Sequence, residues 1–215
     1  MTNHADFIRS QTRLLPVPSL PSINLYQADE VTPLWLMTER DLETERLAPP
    51  FWAFAWAGGQ ALARYVLDRP DIVSGKRVLD IACGSGLVGI AAAMAGAAHV
   101  RCNDIDPYCG AAVALNARLN SVDLAFTGAD LLPDPPPEVD VILAGDICYE
   151  KAMTAAMLTY FRRASAQGIA VYIGDPHRSY FPTSGLERVA LYDIATNADI
   201  EDTAIKPASV WKLLQ

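Results

Sequence analysis

Two patterns of apolar and polar positions alternate along most of this chain. Apolar runs that close on an acid read as buried strands of a parallel sheet: Arg77-Val78-Leu79-Asp80, Val139 to Asp146, and Ile169 to Asp175. Stretches with apolar or small residues at helical spacing lie between them, at Gln60–Leu67, Leu87–Ala95, Cys109–Leu119 and Lys151–Ala166. Further strands are expected at Ala98–Asn103 and from Leu124 onward, with two more near Glu187–Ile194 and Ser209–Leu213 on either side of an acidic loop. The front of the chain is less regular. Ala5–Leu15 reads as a short helix stopped by Pro16, and Pro16, Pro18 and Pro21 then hold the backbone extended. Ile23–Tyr26 reads as a strand, and Val31–Arg46 fits either strand or helix. The expected division is residues 1–48 as an extension covering one end of the core, beside the substrate entrance, and 49–215 as the domain that carries the chemistry.

Bulk properties narrow the class. The 215 residues suffice for one α/β domain with a full core. A formal net charge of −8 disfavours nucleic acid, which calls for a basic face, and suits a basic peptide or a small molecule. No uninterrupted apolar run approaches a membrane span, so no membrane partner is expected. Met1–Ser10 holds His4, Asp6 and Arg9 and no apolar signal core, which points to the cytoplasm. Cys83, Cys102, Cys109 and Cys148 form no C-x-x-C pair, and with three histidines they make no metal-ligand spacing; they read as free thiols in a reducing compartment.

The candidate chemistry centres on Arg77–Ile90, a strand, a glycine turn and a helix start. Glycine lets a backbone approach a ligand, and a helix start offers free N–H groups. Gly84, Gly86 and Gly89 satisfy the G-x-G-x-x-G dinucleotide spacing. The same stretch, as D-x-x-x-G-x-G from Asp80 through Gly84 and Gly86, resembles the S-adenosylmethionine site of class I methyltransferases. Asp80 separates the two, because a carboxylate at that turn repels a pyrophosphate. The resemblance implies that Asp80 helps hold the cationic amino-acid end of S-adenosylmethionine. A purely structural turn is the third reading.

Asp104 closes the next strand, where a carboxylate can accept both ribose hydroxyls; Ile105 would pack on the adenine, and Asp106 with Pro107 would start the following helix. Asp130 stands where class I methyltransferases place an acid near the adenine amino group, or is a turn aspartate. Trp52, Phe54 and Trp56 precede Gly58-Gly59; they are either core or an aromatic wall over the cofactor, and Trp56 is the candidate ligand contact. Asp146 and Tyr149 follow the fourth strand of the sheet, at the carboxyl end where ligands of open α/β sheets bind.

Taken together, Phe51-Trp52-Ala53, Trp56-Ala57-Gly58-Gly59-Gln60-Ala61-Leu62, Asn103-Asp104-Ile105-Asp106-Pro107, Gly145-Asp146-Ile147-Cys148-Tyr149, Gly174-Asp175-Pro176 with Arg178, and Ser209-Val210-Trp211 resemble the electron-transfer flavoprotein β-subunit lysine methyltransferase family, also labelled nicotinamide N-methylase-like. The resemblance runs from about Pro49 to the C-terminus. It implies a Rossmann-like fold with a seven-stranded, mostly parallel sheet, helices on both faces and a C-terminal antiparallel hairpin. It also implies S-adenosylmethionine as cofactor, that flavoprotein subunit as protein substrate, and the acid-x-x-aromatic signature at Asp146 and Tyr149 as catalytic. Ala57 departs from relatives that have proline there. Enzymes that methylate base nitrogens resemble one another in a Pro-Pro-aromatic element at the position of Ile147-Cys148-Tyr149, and its absence argues further against nucleic acid. The alternatives are a nicotinamide-like small molecule, or lysines of another protein such as a ribosomal one.

Overall fold

The computed structural model describes residues 4–29, 34, 49–196 and 203–214. The ambiguous stretch Val31–Arg46 lies outside the described residues apart from Leu34, and most of the acidic loop before the last strand does too. The chain opens with helix α1 (His4–Gln11), followed by a hairpin of β1 (Arg13–Val17) and β2 (Leu20–Gln27). The expected helix through Leu15 is therefore shorter and is followed by a strand. Arg13 to Pro16 pair with Gln27 to Asn24, which satisfies their backbone groups, and the pairing turns irregular between Pro16 and Val17, at the proline that lacks an N–H.

A turn of 3-10 helix (Phe51–Ala53) leads into α2 (Ala57–Asp68). Then come β3 (Arg77–Ile81), α3 (Leu87–Met94), β4 (His99–Asn103), α4 (Cys109–Leu119), β5 (Ala125–Thr127) and β6 (Val141–Gly145). The chain closes with α5 (Lys151–Ser165), β7 (Ala170–Asp175), β8 (Leu186–Ala195) and β9 (Ile205–Leu213). One sheet of seven strands runs in the order β5-β4-β3-β6-β7-β9-β8. Five strands are parallel, and β9 lies antiparallel between β7 and β8. This is the expected doubly wound sheet with its terminal hairpin. β9 begins earlier than its sequence suggests, since Pro207 pairs only toward β8, while β7 meets β9 from Ser209 onward.

One apolar layer packs α2 and α3 on one face through Ala61, Leu62, Ile90 and Ala91; the other face holds α5 through Met157, Tyr160, Phe161 and Ala164. The hairpin joins the first layer, because Val17, Ile23 and Leu25 are fully buried there. Two asparagines of α4 lock it in place. Asn116 accepts from Tyr26 N–H and Asn120 from Asn24 N–H, both at 2.9 Å, and Asn120 donates back to the Asn24 carbonyl. Asn116 also donates to the Ser85 carbonyl in the glycine turn, so one side chain ties the front hairpin to the loop after β3. Among the described residues, no helix is long and apolar enough to cross a membrane.

Candidate active site

The chain runs outward from β3 to β4 and β5, then returns to the other side of β3 with β6 and β7. The strand order reverses between β3 and β6, and the cleft at such a point opens at the carboxyl ends of the strands. The glycine turn follows β3 there, Asp104 follows β4, Asp146 follows β6, and Asp175 ends β7.

The β3–β4 side is built by backbone conformation. Ala82, Gly84 and Gly86 all take positive φ, of 53°, 50° and 81°, so the loop turns sharply before α3 begins. Asp104 fixes its height. One carboxylate oxygen accepts from Gly84 N–H at 2.9 Å and the other from Asp106 N–H at 3.0 Å. Ile105 beside it is a large apolar side chain, 72% exposed. The aromatic turn leans on the loop, since a side-chain carbon at Gly84 would lie 3.6 Å from the Trp52 backbone. Asp104, Ile105 and the turn thus bring a carboxylate, an exposed apolar side chain and a positive-φ glycine loop to one side of the cleft, donors and surfaces whose chemistry suits S-adenosylmethionine.

Asp80 stands near the end of β3, as its sequence position implies. It is 1% exposed, beneath the loop, and accepts from Gly89 N–H at 2.8 Å inside the first turns of α3. Burial pushes its carboxyl up to about 7, against the Gly89 hydrogen bond that favours the charge. Its position supports the loop from below. Asp130 is exposed and accepts from Leu132 N–H, the geometry of a turn aspartate. Asp106 likewise accepts from Tyr108 N–H ahead of α4.

The β6–β7 side is built by contact between distant segments. The start of α2 presses on the ends of both strands. A side-chain carbon at Gly58 would lie 2.3 Å from the Gly174 carbonyl oxygen, one at Gly174 would lie 2.1 Å from the Gly58 carbonyl oxygen, and one at Gly145 would lie 2.8 Å from the Gly59 backbone. Only glycine permits that approach. It brings Gly59 N–H to 2.7 Å from Asp146, so the carboxylate caps α2 from another element, where Trp56 at the N-cap supplies no side-chain cap. The other oxygen of Asp146 accepts from Arg178 Nη2 at 2.6 Å and Nε at 3.1 Å. The Arg178 guanidinium also lies 5.5 Å from the centre of the Trp56 ring, in cation–π range. Asp146 is 9% exposed and holds φ at 55°, a strained conformation for a non-glycine residue. Gln60 completes the joint by donating to the Ala55 and Ala195 carbonyls and accepting from Ser19 N–H.

The aromatics divide: Phe54 is half-buried, edge-on to Trp56 at 5.6 Å. Trp52 is core, 2% exposed and stacked on Tyr108. Trp56 is half-buried, with its indole N–H on the Phe51 carbonyl. Phe51 faces the mouth at 44% exposure, 5.3 Å from the Tyr149 ring, which is also exposed. Burial raises the Tyr149 hydroxyl, followed by the field of Asp104. Glu150 caps α5 through Ala152 and Met153 N–H, which holds its carboxyl below the usual range. Asp175 is wholly buried and pushed up to about 7 by burial; it accepts from Arg178 N–H and so anchors the loop after β7. Two relationships escaped the sequence reading: the mutual fit of Gly58, Gly145 and Gly174, and the pairing of Arg178 with Asp146. Their trace in the sequence is the recurrence of Gly-Asp at two strand ends and of Gly-Gly at a helix start.

Comparison with known proteins decides between the readings. The chain is 35% identical over 211 residues to the electron transfer flavoprotein beta subunit lysine methyltransferase of Xenopus laevis, covering 95% of this chain and 85% of the relative. The Danio rerio enzyme of the same description is 33% identical, with 96% and 82% covered. The chain belongs to this lysine methyltransferase family. It is thus an S-adenosylmethionine-dependent methyltransferase, and the dinucleotide reading of Gly84, Gly86 and Gly89 falls away. Residues 60–151 also match the profile of the ribosomal protein L11 methyltransferase family, a segment that runs from α2 through β6 to Asp146 and Tyr149. In fold, the chain is similar to magnesium protoporphyrin IX methyltransferase of Synechocystis with bound S-adenosylmethionine, at a TM-score of 0.52 and 16% identity over 72% of this chain and 77% of that one.

Proposed function

We propose that this methyltransferase modifies lysine side chains of the electron-transfer flavoprotein β-subunit, with Asp146 and Tyr149 at the reacting end of the cleft and Trp56, Gly84, Gly86, Asp104 and Ile105 around the cofactor. The observation that carries the reading is the buried carboxylate of Asp146 at the carboxyl end of β6, held by Arg178, whose guanidinium lies over Trp56, while Phe51 links Trp56 to Tyr149. S-adenosylmethionine supplies an electrophilic methyl group when bound. Asp104 offers two oxygens toward a ribose while keeping the loop at Gly84 in place. Asp80 supports that loop from below and acts on cofactor binding indirectly, and Asp130 lies at the rim.

The nucleophile is the neutral amine of lysine, whose ordinary pKa is about 10.4, so the loss of its proton costs roughly 4 kcal/mol at neutral pH. The aromatic walls disfavour the ammonium form by displacing water around it. Asp146 accepts a hydrogen bond from the amine and orients its lone pair, and Tyr149 closes the channel beside Phe51. Orientation of this kind supplies much of the rate in reactions of bound partners. A net charge of −8 draws a lysine-bearing surface by an attraction that salt screens. We take residues 1–48 as a cover of the 49–215 catalytic domain, in a cytoplasmic enzyme.

The test is transfer of labelled methyl from S-adenosylmethionine to the flavoprotein β-subunit, with its candidate lysines replaced by arginine in turn. Label lost with the lysines supports the reading. Label on nicotinamide, or on a ribosomal protein, and none on the flavoprotein overturns the substrate.

A further inference from the structure

The residue that shares Asp146 with the substrate nitrogen is Arg178, and its geometry is unusual for a site that must accept a cationic side chain. The guanidinium occupies both features that would attract an ammonium group, the Asp146 oxygen at 2.6 Å and the Trp56 ring face at 5.5 Å. It is held firmly: Arg178 N–H is pinned to buried Asp175 at 2.7 Å, and the Arg178 and Asp146 side chains keep only 18% and 10% of their exposure. The second Asp146 oxygen faces Gly59 N–H at the positive end of α2. The carboxylate is therefore matched by a full positive charge and a helix terminus before any substrate arrives.

We propose that Arg178 is a positioning residue that neutralises Asp146, so that the carboxylate accepts a hydrogen bond from the amine of lysine without stabilising its ammonium form. This rests on the assignment of Asp146 to the amine site. An unpaired carboxylate beside a lysine holds the proton on the nitrogen and stops the reaction; one paired with an arginine, which never loses its charge, does not. Arginine suits the task better than lysine, because its planar fork meets one oxygen through two donors and stacks on Trp56. The groups around Asp146 fit this balance. The first turn of α2 brings no charged side chain, Arg178 brings the Trp56 ring with it, the segment after β6 brings Cys148, and the end of β7 brings Asp175 and Arg178, while His177 turns away to Phe181 and Trp211. Burial raises Cys148 to about 12, so the thiol adds no charge.

The experiment compares methylation of the flavoprotein β-subunit by the wild-type enzyme, Arg178→Gln and Arg178→Lys across pH, as single-turnover rates with saturating substrate and as steady-state rates over a range of substrate concentration. In Arg178→Gln the acid limb of the rate moves up by about one pH unit, the rate at pH 7 falls about tenfold, and KM stays level or falls, because the ammonium is now held. Arg178→Lys keeps the wild-type limb while losing rate. The same shift appears in an Asp175→Asn background, which removes Asp175 as its source. A limb unmoved in Arg178→Gln, with KM raised, overturns the inference and leaves the lysine reading intact. If Arg178→Gln does not fold, a limb in Arg178→Lys displaced by a full unit overturns it. No transfer to any lysine by the wild-type enzyme overturns the function and the inference together.

Discussion

The two walls of the cleft both depend on glycine and on a carboxylate that binds a backbone N–H, yet they are made in different ways. On the β3–β4 wall, Gly84 and Gly86 are needed for their dihedral angles, and Asp104 reaches a loop that its own parallel neighbour strand delivers. On the β6–β7 wall, Gly58, Gly145 and Gly174 are needed for space, and they come from three separated stretches of chain. The first wall is a local motif and can recur in many enzymes of this fold. The second is a fitted joint, and it places Asp146.

The largest expected effect is the difference between the two kinds of glycine. In Gly174→Ala the added carbon meets the Gly58 carbonyl, a backbone atom that cannot swing aside, and the loss of stability should be about 3 kcal/mol or more. In Gly84→Ala no atom comes nearer than 3.6 Å, and the cost is the positive φ, about 1 kcal/mol. Urea unfolding of both variants measures the contrast. Equal losses would mean that the β6–β7 joint is looser than described.

The two carboxylates sharpen the comparison next. Asp146→Ala should lower turnover at least a hundredfold on the scale of lost substrate orientation, with S-adenosylmethionine binding within a few-fold of wild type. Asp104→Ala should do the reverse. It should weaken calorimetric binding of S-adenosylmethionine and of its demethylated product about tenfold or more, as expected for a lost charged hydrogen-bond acceptor. Loss of cofactor binding in Asp146→Ala would merge the two walls into one site.

The smallest effect falls beneath the first wall. Asp80 has its carboxyl raised to about 7 in the folded protein, against an ordinary value near 3.9. The folded state then binds the extra proton between those values, so this residue's contribution to stability is full below about pH 4 and declines as pH rises to about 7. Asp80→Asn keeps an oxygen for Gly89 N–H and removes the buried charge. It should be more stable than wild type at pH 8, by at most about 4 kcal/mol, and lose that advantage by pH 4. Thermal melts at the two pH values test this, and a gain equal at both would remove the buried carboxylate as its cause.

Much of the fold was readable from pattern. The helix Cys109–Leu119 is found where its spacing put it, and the runs ending at Asp80, Asp146 and Asp175 are strands β3, β6 and β7. The front hairpin was read less well, because three prolines conceal β1, whose pairing comes from β2, itself tied down by Asn116 on α4 and Asn120 just after it. Trp52 and Trp56 are four positions apart in one aromatic stretch, and only packing sends the first to Tyr108 and the second to Arg178.

The sequence by itself determined the order of strands and helices, the glycine turn after β3, and the acids that end the strands, since each is set by residues within a few positions of one another. Tertiary structure decided what those acids do. Asp80 and Asp146 both close an apolar run and look alike in the sequence, but one is sealed under α3 while the other meets Gly59 and Arg178. The reason is physical: the environment of a carboxylate depends on burial and on partners brought from elsewhere in the chain, and neither is a property of its neighbours in sequence.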